Sequence, residues 1–269
     1  MGTLHLFGDS FTEGHKLDKS FPWYRVWEEW RGGNLPPVWH EILSEKLGME
    51  TNVKAIGGSS NHETFHTICE NCDLFKKNDI VIINWSYMNR FRWASTFHDT
   101  DGNEALYMGK PINTWVRMGV NKADHFKYHI SESTQMEIAV KISEHPFYVD
   151  EIYNYEKIID NLCKNIGCDV YYWSTDHKII NTLPKEILNQ KKYICNQYTG
   201  NFEVGNGGPN WDHHFTIFRE VYKRGGKNIK QETNDEIPDS HLGESGHRIL
   251  SEMFYEYLKN ITIFKNKII

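Results

Sequence analysis

The stretch that decides the fold stands near the start of the chain, where the apolar run Thr3–Phe7 (TLHLF) leads directly into Gly8-Asp9-Ser10. The small Gly8 lets the backbone bend sharply out of a strand. Ser10 is then expected at the edge of a sheet. A serine hydroxyl is a poor nucleophile unless a base takes its proton, so Ser10 directs the search to a histidine and an orienting carboxylate.

Further short apolar runs predict the other strands of this sheet, at Asn52–Ile56, Ile80–Ile83, Val170–Trp173 and within residues 214–222. Apolar residues spaced three and four apart predict the intervening helices, at Val38–Leu47, Asn61–Phe75, about 152–162 and about 245–260. This alternation favours an α/β fold with a mostly parallel sheet of about five strands, covered on both faces. Ligands bind beyond the carboxyl ends of such strands.

A single domain is predicted for the whole of residues 1–269, which suffice for one large α/β core. Two stretches fit no simple strand–helix unit. Residues 86–130 are rich in aromatic side chains, Asn and His, and residues 176–237 include the glycine-rich run Gly200–Asn210. Neither stretch has a sustained apolar period, so both are interpreted as loop-rich insertions over the site.

The charge and hydropathy of the chain exclude several classes of partner. A net charge of -6 argues against a nucleic-acid binder, which needs clustered Lys and Arg. No segment of the sequence approaches the roughly 18 apolar residues that span a bilayer, and the first residues lack the basic and apolar regions of a signal peptide. We therefore expect no nucleic-acid or membrane partner, and a location in the cytoplasm or on a virion assembled there.

The histidine and the carboxylate occur together near the other end of the chain, in Pro238–His247 (PDSHLGESGH). Asp239 and His241 are separated by one residue, on a predicted loop before the last helix. At this spacing the carboxylate can hold one imidazole nitrogen while the other nitrogen faces the nucleophile. We predict that Ser10, His241 and Asp239 are catalytic, and that His241 takes the serine proton and later returns it to the leaving alcohol.

These two motifs carry a resemblance to a known family. Residues 7–14 (FGDSFTEG) resemble the first block of the SGNH, or GDSL-type, hydrolases, and residues 239–247 (DSHLGESGH) resemble their last block. The resemblance implies a three-layer α/β/α fold resembling flavodoxin. It also implies esterase or acyl-hydrolase chemistry, with neither a metal nor another cofactor.

The resemblance also implies an oxyanion hole, the set of N–H donors that binds the negative oxygen of the reaction intermediate. In the family, a Gly after the second strand and an Asn after the third strand supply two of these donors. By position Gly58 matches that glycine, and the backbone N–H of Ser10 is a further donor.

The third block departs from the family's usual Gly-x-Asn-Asp. Residues 84–91 read NWSYMNRF. Register from the strand end places Ser86 at the position of the family's Asn, whereas side-chain chemistry favours Asn84 or Asn89. The segment resembles a divergent branch in which a Trp-Ser or Trp-Thr pair precedes an Arg. Trp85 and Arg90 are expected to bind substrate, and for Arg90 pairing with a nearby acid is an equal alternative.

Family analogy favours short acyl groups, and first of all O-acetyl groups on a carbohydrate. The substrate is then a small-molecule or polysaccharide ester. The divergent third block and the missing signal peptide also resemble SGNH proteins carried by tailed bacteriophages, which deacetylate surface polysaccharide. The oligomeric state is left open.

Two other functions are compatible with the sequence. The sequence His62-Glu63-Thr64-Phe65-His66 matches H-E-x-x-H, which on a helix binds zinc through both histidines with the glutamate as base. However, no Glu occurs between Glu70 and Glu104 to serve as a third ligand. The second alternative is a catalytically weak glycan-binding module on the same fold, and its support is the departure at Ser86.

Overall fold

The structure of the chain is a computed structural model. It describes residues 2–14, 24–32, 34, 36–86, 147–174, 179, 192–194, 216–237, 239 and 241–261, together with the backbone of 91–94, 106–107, 110–111 and 115–118. The described strands, in chain order, are β1 Thr3–Phe7, β2 Glu50–Val53, β3 Ile80–Trp85, β4 Phe91–Ala94, β5 Leu106–Tyr107, β6 Lys110–Pro111, β7 Trp115–Met118 and β8 Asp169–Ser174.

The described helices, in chain order, are α1 Ser10–Glu13, α2 Tyr24–Trp30, α3 Trp39–Leu47, α4 Asn61–Asn71, α5 Phe147–Ile166, α6 Thr216–Lys223, α7 Ile229–Glu232 and α8 Glu244–Asn260, with a single 3₁₀ turn at Cys72–Leu74. None of them combines the length and the apolar character that a bilayer-spanning helix needs.

Four strands form one parallel sheet in the order β2-β1-β3-β8. Successive side chains of a strand point to opposite faces, and here both faces are buried. Leu4 and Leu6 of β1 pack with helices α3 and α8 on one face, while Phe7 packs with α4 and α5 on the other. Burial on both faces explains why β3 is continuously apolar up to Asn84. The predicted α/β class with a parallel sheet is confirmed.

The fifth strand predicted within residues 214–222 is wrong, because Thr216–Lys223 forms helix α6. Ile217, Phe218 and Val221 lie on one side of this helix and are buried against the core beneath it. A different segment extends the sheet beyond β8. The amide of Tyr172 donates to the carbonyl of Lys192 at 2.8 Å, and the amide of Ile194 donates to the carbonyl of Tyr172 at 2.8 Å.

The two predicted insertions contain more regular structure than expected. Within residues 86–130, β4 pairs with β7 and β5 pairs with β6, in two antiparallel ladders. Within residues 176–237, helices α6 and α7 both contribute buried side chains to apolar clusters. The second strand is also shifted, since it covers Glu50–Val53 rather than Asn52–Ile56.

A buried polar network lies beneath the carboxyl end of β3. The indole N–H of Trp85 donates to Oε1 of Glu156 on α5 at 2.8 Å, and the hydroxyl of Tyr193 donates to the same oxygen. Burial raises the pKa of Glu156 to about 7, because the desolvation of the carboxylate outweighs the stabilisation that these two hydrogen bonds supply. Glu156 is therefore a buried acid that holds β3 and the segment 192–194 against α5.

Glu156 is expected to make the stability of the fold depend on pH. Between about pH 4.5 and pH 7 the unfolded chain releases the proton of Glu156 and the folded chain retains it. The free energy of unfolding should therefore fall as pH rises through this window, by up to about 3 kcal/mol. Glu156→Gln should remove this fall in the free energy of unfolding. Asp150→Asn, at an exposed position of the same helix, should leave the fall unchanged. Urea denaturation at several pH values measures both. An unchanged slope in Glu156→Gln would contradict this expectation.

Candidate active site

Three loops meet at the carboxyl edge of the sheet, because β1, β2 and β3 are parallel neighbours. They are Gly8–Ser10, Gly57–Asn61 and the turn at Ser86. Gly8 has φ 147, and a Cβ at this position would lie 2.6 Å from Cβ of Asn84. Only a glycine lets β1 end this close to β3. The hydroxyl of Ser59 donates to the carbonyl of Gly8 at 3.0 Å and links the first two loops.

Ser10 is placed by the short helix that follows β1. It is the first residue of α1 and is partly exposed. The amide N–H of a first helical residue has no acceptor within its own helix. The amides of Thr12 and Glu13 each donate to the carbonyl of Asp9 at 2.9 Å, which closes the turn. The hydroxyl and the amide of Ser10 are thereby presented at the edge of the sheet.

The structure brings Ser10, His241 and Asp239 together across 231 residues of sequence. Nε2 of His241 lies 2.8 Å from Oγ of Ser10, and Nδ1 of His241 lies 2.6 Å from Oδ1 of Asp239. A carboxylate only accepts hydrogen bonds, so Nδ1 carries the proton and Nε2 is left to accept the proton of Ser10. The ring of Phe11 lies over the imidazole, with the two ring centroids 4.7 Å apart.

Helix α7 fixes the backbone of the loop that carries Asp239 and His241. The amide of Ile229 donates to the carbonyl of His241, and the amide of Lys230 donates to the carbonyl of Asp239, both at 2.9 Å. The amide of His241 in turn donates to Oδ1 of Asp239 at 2.9 Å. The backbone and the side chains of Asp239 and His241 are therefore held in a fixed relative position. The interpretation of residues 176–237 as a loop-rich insertion missed this helix.

Asp9 supports the turn that carries Ser10. It is fully buried, and its carboxylate accepts from the amide of Phe11 at 3.1 Å, from Nδ2 of Asn84 at 2.8 Å and from the hydroxyl of Ser86 at 2.7 Å. A buried carboxylate is tolerated only where donors replace its water. The side chain of Asp9 therefore ties the end of β1 to the end of β3.

The third block is arranged differently from the prediction. The hydroxyl of Ser86 has one proton and donates it to Asp9. Its amide donates to Oδ1 of Asn61 at 2.6 Å and its carbonyl accepts from Nδ2 of Asn61 at 3.0 Å. In this arrangement the side chain of Ser86 has no proton to give to an oxyanion. Asn84, the second candidate, is also fully buried and donates to Asp9.

The structure does not support the substrate-binding role predicted for Trp85. Its side chain is fully buried in the core, and its indole N–H is held by Glu156. The remaining candidates of this block, Asn89 and Arg90, lie outside the described residues.

The loop after β2 runs beside Ser10. A Cβ on Gly57 would lie 3.8 Å from Cβ of Ser10, and the amide of Gly57 donates to Oε2 of Glu13 at 2.7 Å. Gly58 follows with φ 76, a conformation that favours glycine, and a Cβ on it would meet nothing within 4 Å. Gly58 therefore lies in an open turn next to the loop that carries Ser10.

The two histidines of the H-E-x-x-H motif both lie on α4, and each of them contacts a different partner. Nδ1 of His62 is 2.8 Å from the hydroxyl of Tyr155, and Nδ1 of His66 is 3.2 Å from Oε1 of Glu70. Glu63 is buried near the start of the helix. Among the described residues there is no group of three or more His, Cys, Asp or Glu side chains that could hold a metal ion.

Scanned against models of protein families, the chain matches none of them, and a search of curated protein sequences finds no match. The residues of the site and their geometry are therefore the basis for a function.

Proposed function

We propose that this protein is a serine esterase of the SGNH type that hydrolyses short-chain acyl esters, with Ser10 as nucleophile. One observation carries the proposal: Oγ of Ser10, both ring nitrogens of His241 and the carboxylate of Asp239 form a single line of hydrogen bonds at 2.8 and 2.6 Å. Nucleophile, base and orienting acid in this order are the parts that acyl transfer needs.

The geometry supports a two-step mechanism. Nε2 of His241 takes the proton of Ser10 as Oγ attacks the ester carbonyl, and Asp239 stabilises the imidazolium that forms. The imidazolium then gives its proton to the departing alcohol, which leaves an acyl-enzyme on Ser10. A water molecule, deprotonated by His241, cleaves the acyl-enzyme and releases the carboxylic acid.

In this proposal the backbone of two loops binds the oxyanion. The amide of Ser10 stands at the start of α1, and the amide of Gly58 lies in the neighbouring turn; both are assigned to the oxyanion hole. Each donor of this kind is worth roughly 100- to 1000-fold in rate. A third donor, from Asn89 or another group of the segment that follows β3, completes the hole.

We further propose an SGNH hydrolase fold, a three-layer α/β/α arrangement like that of flavodoxin. The sheet order β2-β1-β3-β8, with residues 192–194 paired beyond β8, supports it. The corresponding doubly wound order is 2-1-3-4-5, and ligands bind at its strand ends. O-acetyl groups on a carbohydrate are the first substrate to test, and a bacteriophage origin fits that choice. Both assignments depend on resemblance to the family.

Ser10→Ala should abolish esterase activity, because the alanine leaves no nucleophile. We expect kcat to fall by about 1000-fold or more on p-nitrophenyl acetate and on a panel of acetylated sugars. Acetate release and chromophore release measure the two substrate classes. Ser44→Ala is the matched control, since Ser44 is half-buried on α3 and its hydroxyl donates to the carbonyl of Glu41 in the same helix. Equal turnover of Ser10→Ala and wild type would refute the proposal.

The same assay separates the two alternative functions. A zinc hydrolase using His62 and His66 would lose its turnover to a chelator and keep it in Ser10→Ala. A glycan-binding module would bind the acetylated sugars without releasing acetate. The proposed esterase is insensitive to the chelator and inactive in Ser10→Ala.

Ser86→Ala tests whether the hydroxyl of Ser86 supports Asp9 or binds the oxyanion. If its role is the bond to Asp9, Ser86→Ala and Asp9→Asn should each lower the free energy of unfolding by about 1–3 kcal/mol. The double variant should then lose less than the sum of the two. Denaturation of the four proteins measures this coupling. Unchanged stability in Ser86→Ala, combined with a loss in kcat of about 100-fold or more, would instead assign an oxyanion role to Ser86.

A further inference from the structure

Helix α8, which follows the Asp239–His241 loop, begins without a cap of its own. Its N-cap residue is Gly243, which has no side chain to accept from the first amides. The first amides of a helix need acceptors, and here a distant carboxylate supplies them. Glu232 accepts from the amide of Glu244 at 3.0 Å, from the amide of Ser245 at 2.9 Å and from the hydroxyl of Ser245 at 2.5 Å.

The carboxylate of Glu232 lies directly against Gly243 at the start of α8. A Cβ on Gly243 would lie 2.3 Å from Cδ of Glu232 and 2.4 Å from its Oε2. A side chain at position 243 would therefore displace the carboxylate. The amide of Gly243 also donates to the carbonyl of Lys227 at 2.9 Å, so the residue is held from both sides.

Asp239 and His241 lie in the segment between α7 and α8. Glu232 is the last residue of α7, whose first two amides hold the carbonyls of His241 and Asp239. Its carboxylate holds the start of α8 at Glu244, three residues beyond His241. The two ends of the loop are thus fastened to one helical turn of four residues, and that turn has its own capping box between Asn228 and Gln231.

From this arrangement we infer that Glu232 is a positioning residue for the acid–base pair. It acts through the first turn of α8, which fixes the distance from Nε2 of His241 to Oγ of Ser10. The inference rests on the proposed function and adds to it a residue outside both family motifs. Glu232 makes no contact with the reacting groups itself, so its removal should impair the alignment of His241 and leave Ser10 in place.

The experiment compares Glu232→Gln and Glu232→Ala with Glu244→Gln. Glu244 is the matched control because it also places a carboxylate at the start of α8, but that carboxylate pairs with Arg248 on the surface. Misplacement of a catalytic group by about 1 Å costs on the order of 100-fold. We expect kcat on p-nitrophenyl acetate to fall about 10- to 100-fold in Glu232→Ala and less in Glu232→Gln, with KM changed by less than about twofold.

A second measurement reports the alignment without catalysis. The Nδ1 proton of His241, bonded to Asp239 at 2.6 Å, should give a low-field imidazole resonance in the proton NMR spectrum, and Asp239→Asn assigns it. We expect Glu232→Ala to shift or broaden this resonance and Glu244→Gln to leave it unchanged. Gly243→Ala keeps the carboxylate but displaces it, and should reproduce the effect of Glu232→Ala.

An unchanged resonance and an unchanged kcat in Glu232→Ala, or equal losses in Glu232→Ala and Glu244→Gln, would overturn the inference. Were Glu232→Ala to fail to fold, Glu232→Gln and Gly243→Ala would decide it by the same readouts. The proposed function fails separately, through an active Ser10→Ala. In that case the resonance still shows whether Glu232 holds His241 against Asp239.

Discussion

The buried carboxylate of Asp9 is the constraint on which the arrangement of the site depends. An unpaired charge in the interior would cost several kcal/mol, so the chain must bring donors to it. It does so with the amide of Phe11 and with two side chains from the far end of β3, 75 and 77 residues away. The charge therefore sets how β1 and β3 end relative to each other. Ser10 follows Asp9 directly, so the same contacts determine its position.

The acid–base side of the site is built by the same kind of interaction. The carboxylate of Asp239 accepts from the amide and the ring of His241, and the carboxylate of Glu232 accepts from the start of α8. In both cases a carboxylate fixes a backbone turn through amides, and that turn presents a side chain. Together with the turn that Asp9 fixes at the end of β1, these two turns between α7 and α8 determine where Ser10 and His241 lie. Loops positioned by a rigid sheet can hold a site in this way.

A strand, helix or site residue of this protein could be predicted where its signal lies within a short stretch of sequence. Thr3–Phe7, Ile80–Ile83 and Val170–Trp173 were found because both faces of a central parallel strand are buried, which leaves a continuous apolar run. The proximity of Ser10, Asp239 and His241 could be predicted because acyl transfer needs those residue types in contact, and the structure brings them together. Residues 214–222 were misassigned because a short apolar run fits a strand or a helix equally well. Only the packing of Ile217, Phe218 and Val221 on the core decides for the helix.

In the third block the side chains of Trp85 and Ser86 face other partners than expected, for a different reason. The sequence places Trp85 and Ser86 at a strand end beside the site, and that position is correct. What the sequence lacks is the identity of their partners, Glu156 and Asp9, which other elements supply. A polar side chain at the edge of a sheet can face the substrate or the core, and the choice depends on whether a buried charge nearby needs a donor. Here Asp9 needs one, so the hydroxyl of Ser86 is directed into the protein. Two donors of the proposed oxyanion hole, those of Ser10 and Gly58, are backbone amides and do not depend on this choice.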